Sequence, residues 1–296
     1  MGSLIRLSGG MAAAALAGAA ATVAPSAALA APSATVNLPC SVSALTTAIT
    51  NANAGTGPTN IVLQRNCNYS AFTPIGGNAF PAITKTIALS GGPGTVLSRS
   101  PFAILNFRIL NVGVTGNLTV TGVTITNGRT TGDGGGVVNA GRLTVSNSTI
   151  TGNRAAMGGG VANIGLGIAT ISTTLVSQNL ATGGFGGGGV NNSGLLLTVF
   201  HSNILNNTAS FGGGVTTELL STTRINQTSV AQNFAGGTGG GIWNAGTTNL
   251  NGSQVRRNTA GASGGGIRSL NLNVNLVSTI VRDNSPDDCF PSILCP

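Results

Sequence analysis

The chain has 296 residues, 47 of them glycine, with 41% apolar and 6% charged residues and a net charge of +8. That much apolar content excludes disorder from low hydrophobicity, and so much glycine requires a geometric use for it. Twelve arginines and Lys85 face five acids, Asp133, Glu218, Asp283, Asp287 and Asp288, and His201 is the only histidine. A single histidine rules out any metal site that needs two histidine ligands.

Residues 1–30 have the layout of a secretory signal peptide. Arg6 supplies the basic region, Met11–Ala24 the apolar segment, and Ala28-Leu29-Ala30 the small-x-small cleavage site. The apolar run falls short of the roughly 20 residues that a membrane span needs. The expected product is a secreted or cell-surface protein without a membrane span, a single domain over residues 31–296.

An oxidising compartment favours disulfides. Of the three connectivities open to four cysteines, the local one, Cys40 with Cys67 and Cys289 with Cys295, makes two terminal staples. A zinc site is the poorer reading, because His201 is remote from all four. Residues 40–67 form the expected N-terminal cap. Within it Ser41–Gly55 places Val42, Leu45, Ile49 and Ala52 on one helical face and stops at a glycine. Strand-like runs follow over 60–72, 82–98 and 103–126.

From residue 103 to 284 the chain repeats. Triple glycines followed by Val or Ile end at Val137, Val161, Val190, Val215, Ile242 and Ile267. Asparagines recur at Asn153, Asn179, Asn207, Asn233, Asn258 and Asn284, in steps of 26, 28, 26, 25 and 26. Two apolar columns keep this register, one from Val145 to Leu276 and one from Ile150 to Val281. Each copy carries three short β-branched segments of alternating polarity, which is strand chemistry. Such strands cannot bury a face alone, whereas stacked turns of about 25 residues enclose a continuous apolar bore. The fold class predicted is all-β, a parallel β-helix with three short strands per turn, a short N-terminal capping helix, and a C-terminal disulfide cap over 285–296. The asparagines are then a ladder at turn positions and the glycines are corners. No GxxxxGK[ST] phosphate loop is present.

The segments "GGGVVN", "GGGVAN" and "GGGIWN", each followed 11–14 residues later by I/V-x-x-N, resemble the repeats of polymorphic outer-membrane-protein type chains in the pectate-lyase-like right-handed β-helix superfamily. The helix-plus-cysteine entry and cysteine-rich exit resemble those of secreted bacterial members. The resemblance implies a right-handed coil, and it raises two activities found among such folds, polysaccharide lyase and glycoside hydrolase.

A glycosidase needs two carboxyl groups within about 10 Å. Asp133 and Glu218 lie three turns apart in the repeat register, which separates them by about 14 Å from strand spacing alone. Asp283, Asp287 and Asp288 form the only acidic cluster and are the candidate calcium ligands, with Asp283 one turn above Arg257 and placed to pair with it. Arg256 and Arg282 share a column with Arg257 adjacent, a basic stripe suited to anionic polysaccharide or cell-wall polymer. Without interleaved aromatics the stripe does not suggest nucleic acid. His201 shares a polar column with Asn147, Thr173, Gln227, Gly252 and Ser278, and is expected to point outward from a turn. The T-x-T spacing of "LTVTGVTIT" could order water on a flat face, but Phe200, Asn226 and Asn251 break it in later copies. The leading expectation is a non-enzymatic carbohydrate- or envelope-binding β-helix that needs no cofactor. The alternatives are a polysaccharide lyase or glycoside hydrolase with a divergent site, and a purely structural or adhesin-like surface protein.

Overall fold

A computed structural model describes residues 34–295, so the expected signal peptide at 1–30 lies outside the described residues. The chain winds as a parallel solenoid. Its first sheet has ten strands, from Ala34–Asn37 to Val274–Val277, its second nine, from Asn68–Ala71 to Ile280–Arg282, and its third eight, from Leu110–Val112 to Cys289–Phe290. Neighbouring strands of a sheet are one turn apart, with no register shift in these three sheets. Ten strands spaced about 4.8 Å make a stack of roughly 43 Å.

Three strands per turn describes the ends of the coil but not its middle. Between the second and third sheets a short fourth sheet intervenes, five strands running from Arg154–Ala155 to Thr259–Ala260. Three of these strands are only two residues long, and alternation cannot reveal so short a segment.

The bore is filled by the apolar columns. Val145, Ile171, Val199, Ile225 and Leu250 of the first sheet stack in register, as do Ile150, Val176, Ile204, Val230 and Val255 of the second, and all are at most 1% exposed. Val161, Val190, Val215, Ile242 and Ile267 close the third side at 0% exposure.

The glycine triplet turns the chain into that third side. Gly158 has φ +60°, and a Cβ there would lie 2.3 Å from the Val161 carbonyl oxygen. At Gly159 a Cβ would lie 2.6 Å from the carbonyl oxygen of Gly188 in the next turn, so that residue is fixed by close approach of stacked backbones rather than by its dihedrals.

The helix Val42–Ala54 covers the entry. The Ser41 hydroxyl accepts from the Ala44 N–H, Leu45, Ile49 and Ala52 are buried, and Cys40 is bonded to Cys67. The side chain of Asn53 fixes the helix to the coil, donating to the Ala82 carbonyl and accepting from the Thr84 N–H. At the exit Cys289 is bonded to Cys295. Among the described residues no helix is long and apolar enough to cross a membrane.

Candidate functional site

Two kinds of corner flank the second sheet, and both have the same construction. At the entry corner Asn147, Thr173, His201, Gln227, Gly252 and Ser278 all have φ between 45° and 59°. Each is followed by a hydroxyl residue, and those hydroxyls form a ladder. The Thr174 hydroxyl accepts from the Ser148 N–H, Ser202 from Thr174, Thr228 from Ser202, and Ser253 from Thr228. Each of these hydroxyls also donates to the carbonyl two residues before it.

At the exit corner Gly152, Gln178, Asn206, Gln232, Arg257 and Asp283, with φ from 54° to 65°, each precede an asparagine of the expected ladder. Asn179 Nδ2 donates to Asn207 Oδ1, Asn207 to Asn233, Asn233 to Asn258 and Asn258 to Asn284, at 2.9–3.0 Å. The backbone N–H of each rung donates to the same oxygen, and the amide also reaches a bore carbonyl of the preceding turn, as Asn207 does at Val176.

A second asparagine column lies on the third sheet. Asn139 donates to Asn163 and Asn163 to Asn192, and the break at Thr217 is bridged by the Thr223 and Thr248 hydroxyls, which occupy bore positions. The glycine and asparagine motifs are thus built into the scaffold, with Asn139 Oδ1 left without a partner.

The acidic cluster is engaged there too. Asp288 Oδ1 accepts from both the backbone N–H and the Nδ2 of Asn284, and so takes the place of the next asparagine at the top of the ladder. Asp287 Oδ1 accepts from the Gly264 and Gly265 N–H groups. Asp283 and Arg257 share the corner column, but the ion pair that forms is Arg282 Nε to Asp283 Oδ2 at 3.8 Å, between two well-exposed side chains. Arg282, adjacent to Asp283 in sequence, makes the pair expected of Arg257. Among the described residues no three His, Cys, Asp or Glu side chains converge as metal ligands would.

Asp133 precedes the third-sheet strand Val137–Asn139, whereas Glu218 follows Val215–Thr217, three rungs along and at the opposite strand end. Burial pushes both carboxyls above the usual carboxylate range, and the Arg108 charge partly opposes this at Asp133.

Several residues that differ from copy to copy meet at the entry corner. His201, Asn203, Gln227, Ser229, Gln254 and Arg256 line an open groove of about 530 Å³. His201 Nε2 contacts Gln227 Oε1 along the corner column. Asn203, Ser229 and Gln254 follow one another in register on the second sheet and project from successive turns. Arg256 lies in register with Arg282, while Arg257 turns outward at the exit corner. The structure therefore brings Arg256 and Arg282 together and sets Arg257 beside them. Arg256 Nε is buried without a protein acceptor. The groove offers amide, hydroxyl, imidazole and guanidinium groups and is lined by no carboxyl, an arrangement for holding a polar ligand rather than for paired-carboxyl acid and base chemistry. Sequence reading found Arg256, placed His201 outward and named Gln227 only as a member of the same polar column, and it missed Asn203 and Gln254, whose signal was their failure to repeat. The chain matches no family model, and neither a curated protein nor a solved structure matches it.

Proposed function

We propose that the protein is an exported solenoid that binds acidic polysaccharide at or near the cell envelope, and that it does so without cleaving it. The observation that carries this reading is the entry-corner groove. Polar side chains from successive turns are presented at the strand spacing, and Arg256 lies at its end with Arg282 one rung beyond. A polymer suits side chains presented at a regular strand spacing, since its hydroxyls can pair with Asn203, Ser229 and Gln254 in turn while carboxylates or sulfates meet guanidinium groups. Two disulfides support an oxidising, extracytoplasmic setting. The repeat motifs' resemblance to the pectate-lyase-like superfamily agrees with the parallel coil and supports a glycan ligand. The test is equilibrium binding to polygalacturonate with and without calcium. Gln254→Ala/Arg256→Ala is expected to weaken binding at least tenfold. Release of unsaturated or reducing ends by the unmodified protein would replace the binding reading with an enzymatic one.

A further inference from the structure

A second basic cluster lies at the exit corner, nearer the N-terminus of the coil. Arg99, Asn127, Arg129 and Arg154 line a groove of about 280 Å³. Arg99 is 8% exposed and rigidly held. Its guanidinium donates to the carbonyls of Leu105, Ser100 and Ala103 and sits 5.5 Å from the Phe107 ring centroid. Three of its five N–H donors are used, which leaves two for a ligand. Arg129 and Arg154 are exposed and lie side by side on a parallel bridge between successive turns. Among the described residues the single ion pair joins Arg282 to Asp283, so none of these three cations is neutralised by a carboxylate. The charge of Arg129, second to burial, lowers the Arg99 pKa, as expected of like charges held close together. Three cations that gain nothing from one another are stabilised by an oxyanion shared among them.

We propose that Arg99, Arg129 and Arg154 form a second site, one that takes the carboxylate or sulfate groups of an acidic polysaccharide. The nature of its ligand rests on the polysaccharide reading above, whereas the site itself rests on its own three arginines. It flanks the same second sheet as Arg256. The outer column Thr126, Thr151, Ser177, Leu205, Ala231, Arg256 separates the two loci by five rungs, or about 24 Å. A polymer lying along the axis can engage both loci, so long chains gain avidity that short ones lack.

The test is Arg129→Gln/Arg154→Gln, two exposed positions whose replacement leaves the Arg99 clamp intact. Affinities for polygalacturonate, a short oligogalacturonide and dextran sulfate are measured at low salt, with neutral dextran and duplex DNA as controls. The site predicts at least tenfold weaker binding of polygalacturonate or dextran sulfate, an unchanged thermal midpoint, and a smaller advantage of long over short chains. Unchanged affinity for both polymers overturns it, and tighter capture of duplex DNA than of either glycan overturns the choice of ligand. Loss here with full binding by Gln254→Ala/Arg256→Ala supports this site and removes the entry-corner groove. No binding by the unmodified protein removes both.

Discussion

Two fully buried asparagines are expected to respond in opposite ways to truncation. Asn207 uses its amide fully, donating to Val176 and Asn233 and accepting from the backbone N–H and Nδ2 of Asn179. Asn207→Ala leaves those partners buried and unpaired, a cost of about 3 kcal/mol in chemical denaturation. Asn191 is equally buried, yet neither its Oδ1 nor its Nδ2 has a protein partner. Its column neighbours are Ala162 and Thr216, so Asn191→Ala fits the column and is expected to be neutral or stabilising by about 1 kcal/mol. Sequence alone could not separate these two roles. Asn207 repeats at the turn period and was recognisable as a rung, whereas Asn191 looks like any other asparagine beside a ladder position. The hydroxyl ladder was hidden for a different reason, since serine and threonine also populate the outer faces of the strands.

Glu218 gives a residue-level prediction in pH. Burial raises its pKa in the folded state, so the unfolded chain releases this proton first as pH rises. Folding is therefore disfavoured through the window between the ordinary and the raised value, and by a constant amount above it. Glu218→Gln is expected to raise stability at neutral pH and to have no effect in acid below the ordinary carboxylate range. A stability difference that persists in acid would show that the charge is not the cause.

At the scale of elements, corners rather than strands specify this coil. Gly159→Ala is expected to open the contact with Gly188 and to destabilise the coil more than Gly165→Ala, whose Cβ would meet nothing within 4 Å but would carry the strain of φ +60°. Both effects are read from urea midpoints. The corners were legible because the glycine triplet and the asparagine recur in every turn. The fourth sheet was not, because strands such as Arg154–Ala155 and Leu180–Ala181 are too short to carry a period. The N-terminal staple closes 27 residues and the C-terminal one 6, so the chain-entropy model assigns them about 3.5 and about 2 kcal/mol. Replacing Cys40 and Cys67 together by alanine is thus expected to lower the urea midpoint more than replacing Cys289 and Cys295.

Across the whole molecule, invariant columns make the scaffold, and variable positions decorate it. Val145, Ile150 and Asn153 are interchangeable with their counterparts a turn away, and none reaches solvent by more than 1%. His201, Asn203, Gln227 and Gln254 differ from the residues above and below them, and they line the groove. The basic stripe was partly legible, since Arg256 and Arg282 are one period apart. The same arithmetic links Arg129 to Arg154, but Arg99 joins them from a different place in the repeat, at the end of the strand Val96–Arg99, where the carbonyls of Ala103 and Leu105 hold its guanidinium near Phe107.

The most direct test of this division between scaffold and surface is the affinity of Gln254→Ala/Arg256→Ala for polygalacturonate, with Asn207→Ala as the comparison. The account predicts binding at least tenfold weaker at an unchanged unfolding midpoint for the first variant. For the second, in the folded state, it predicts full affinity at a lowered midpoint. Unchanged affinity in the groove variant together with lost affinity in the ladder variant would contradict it.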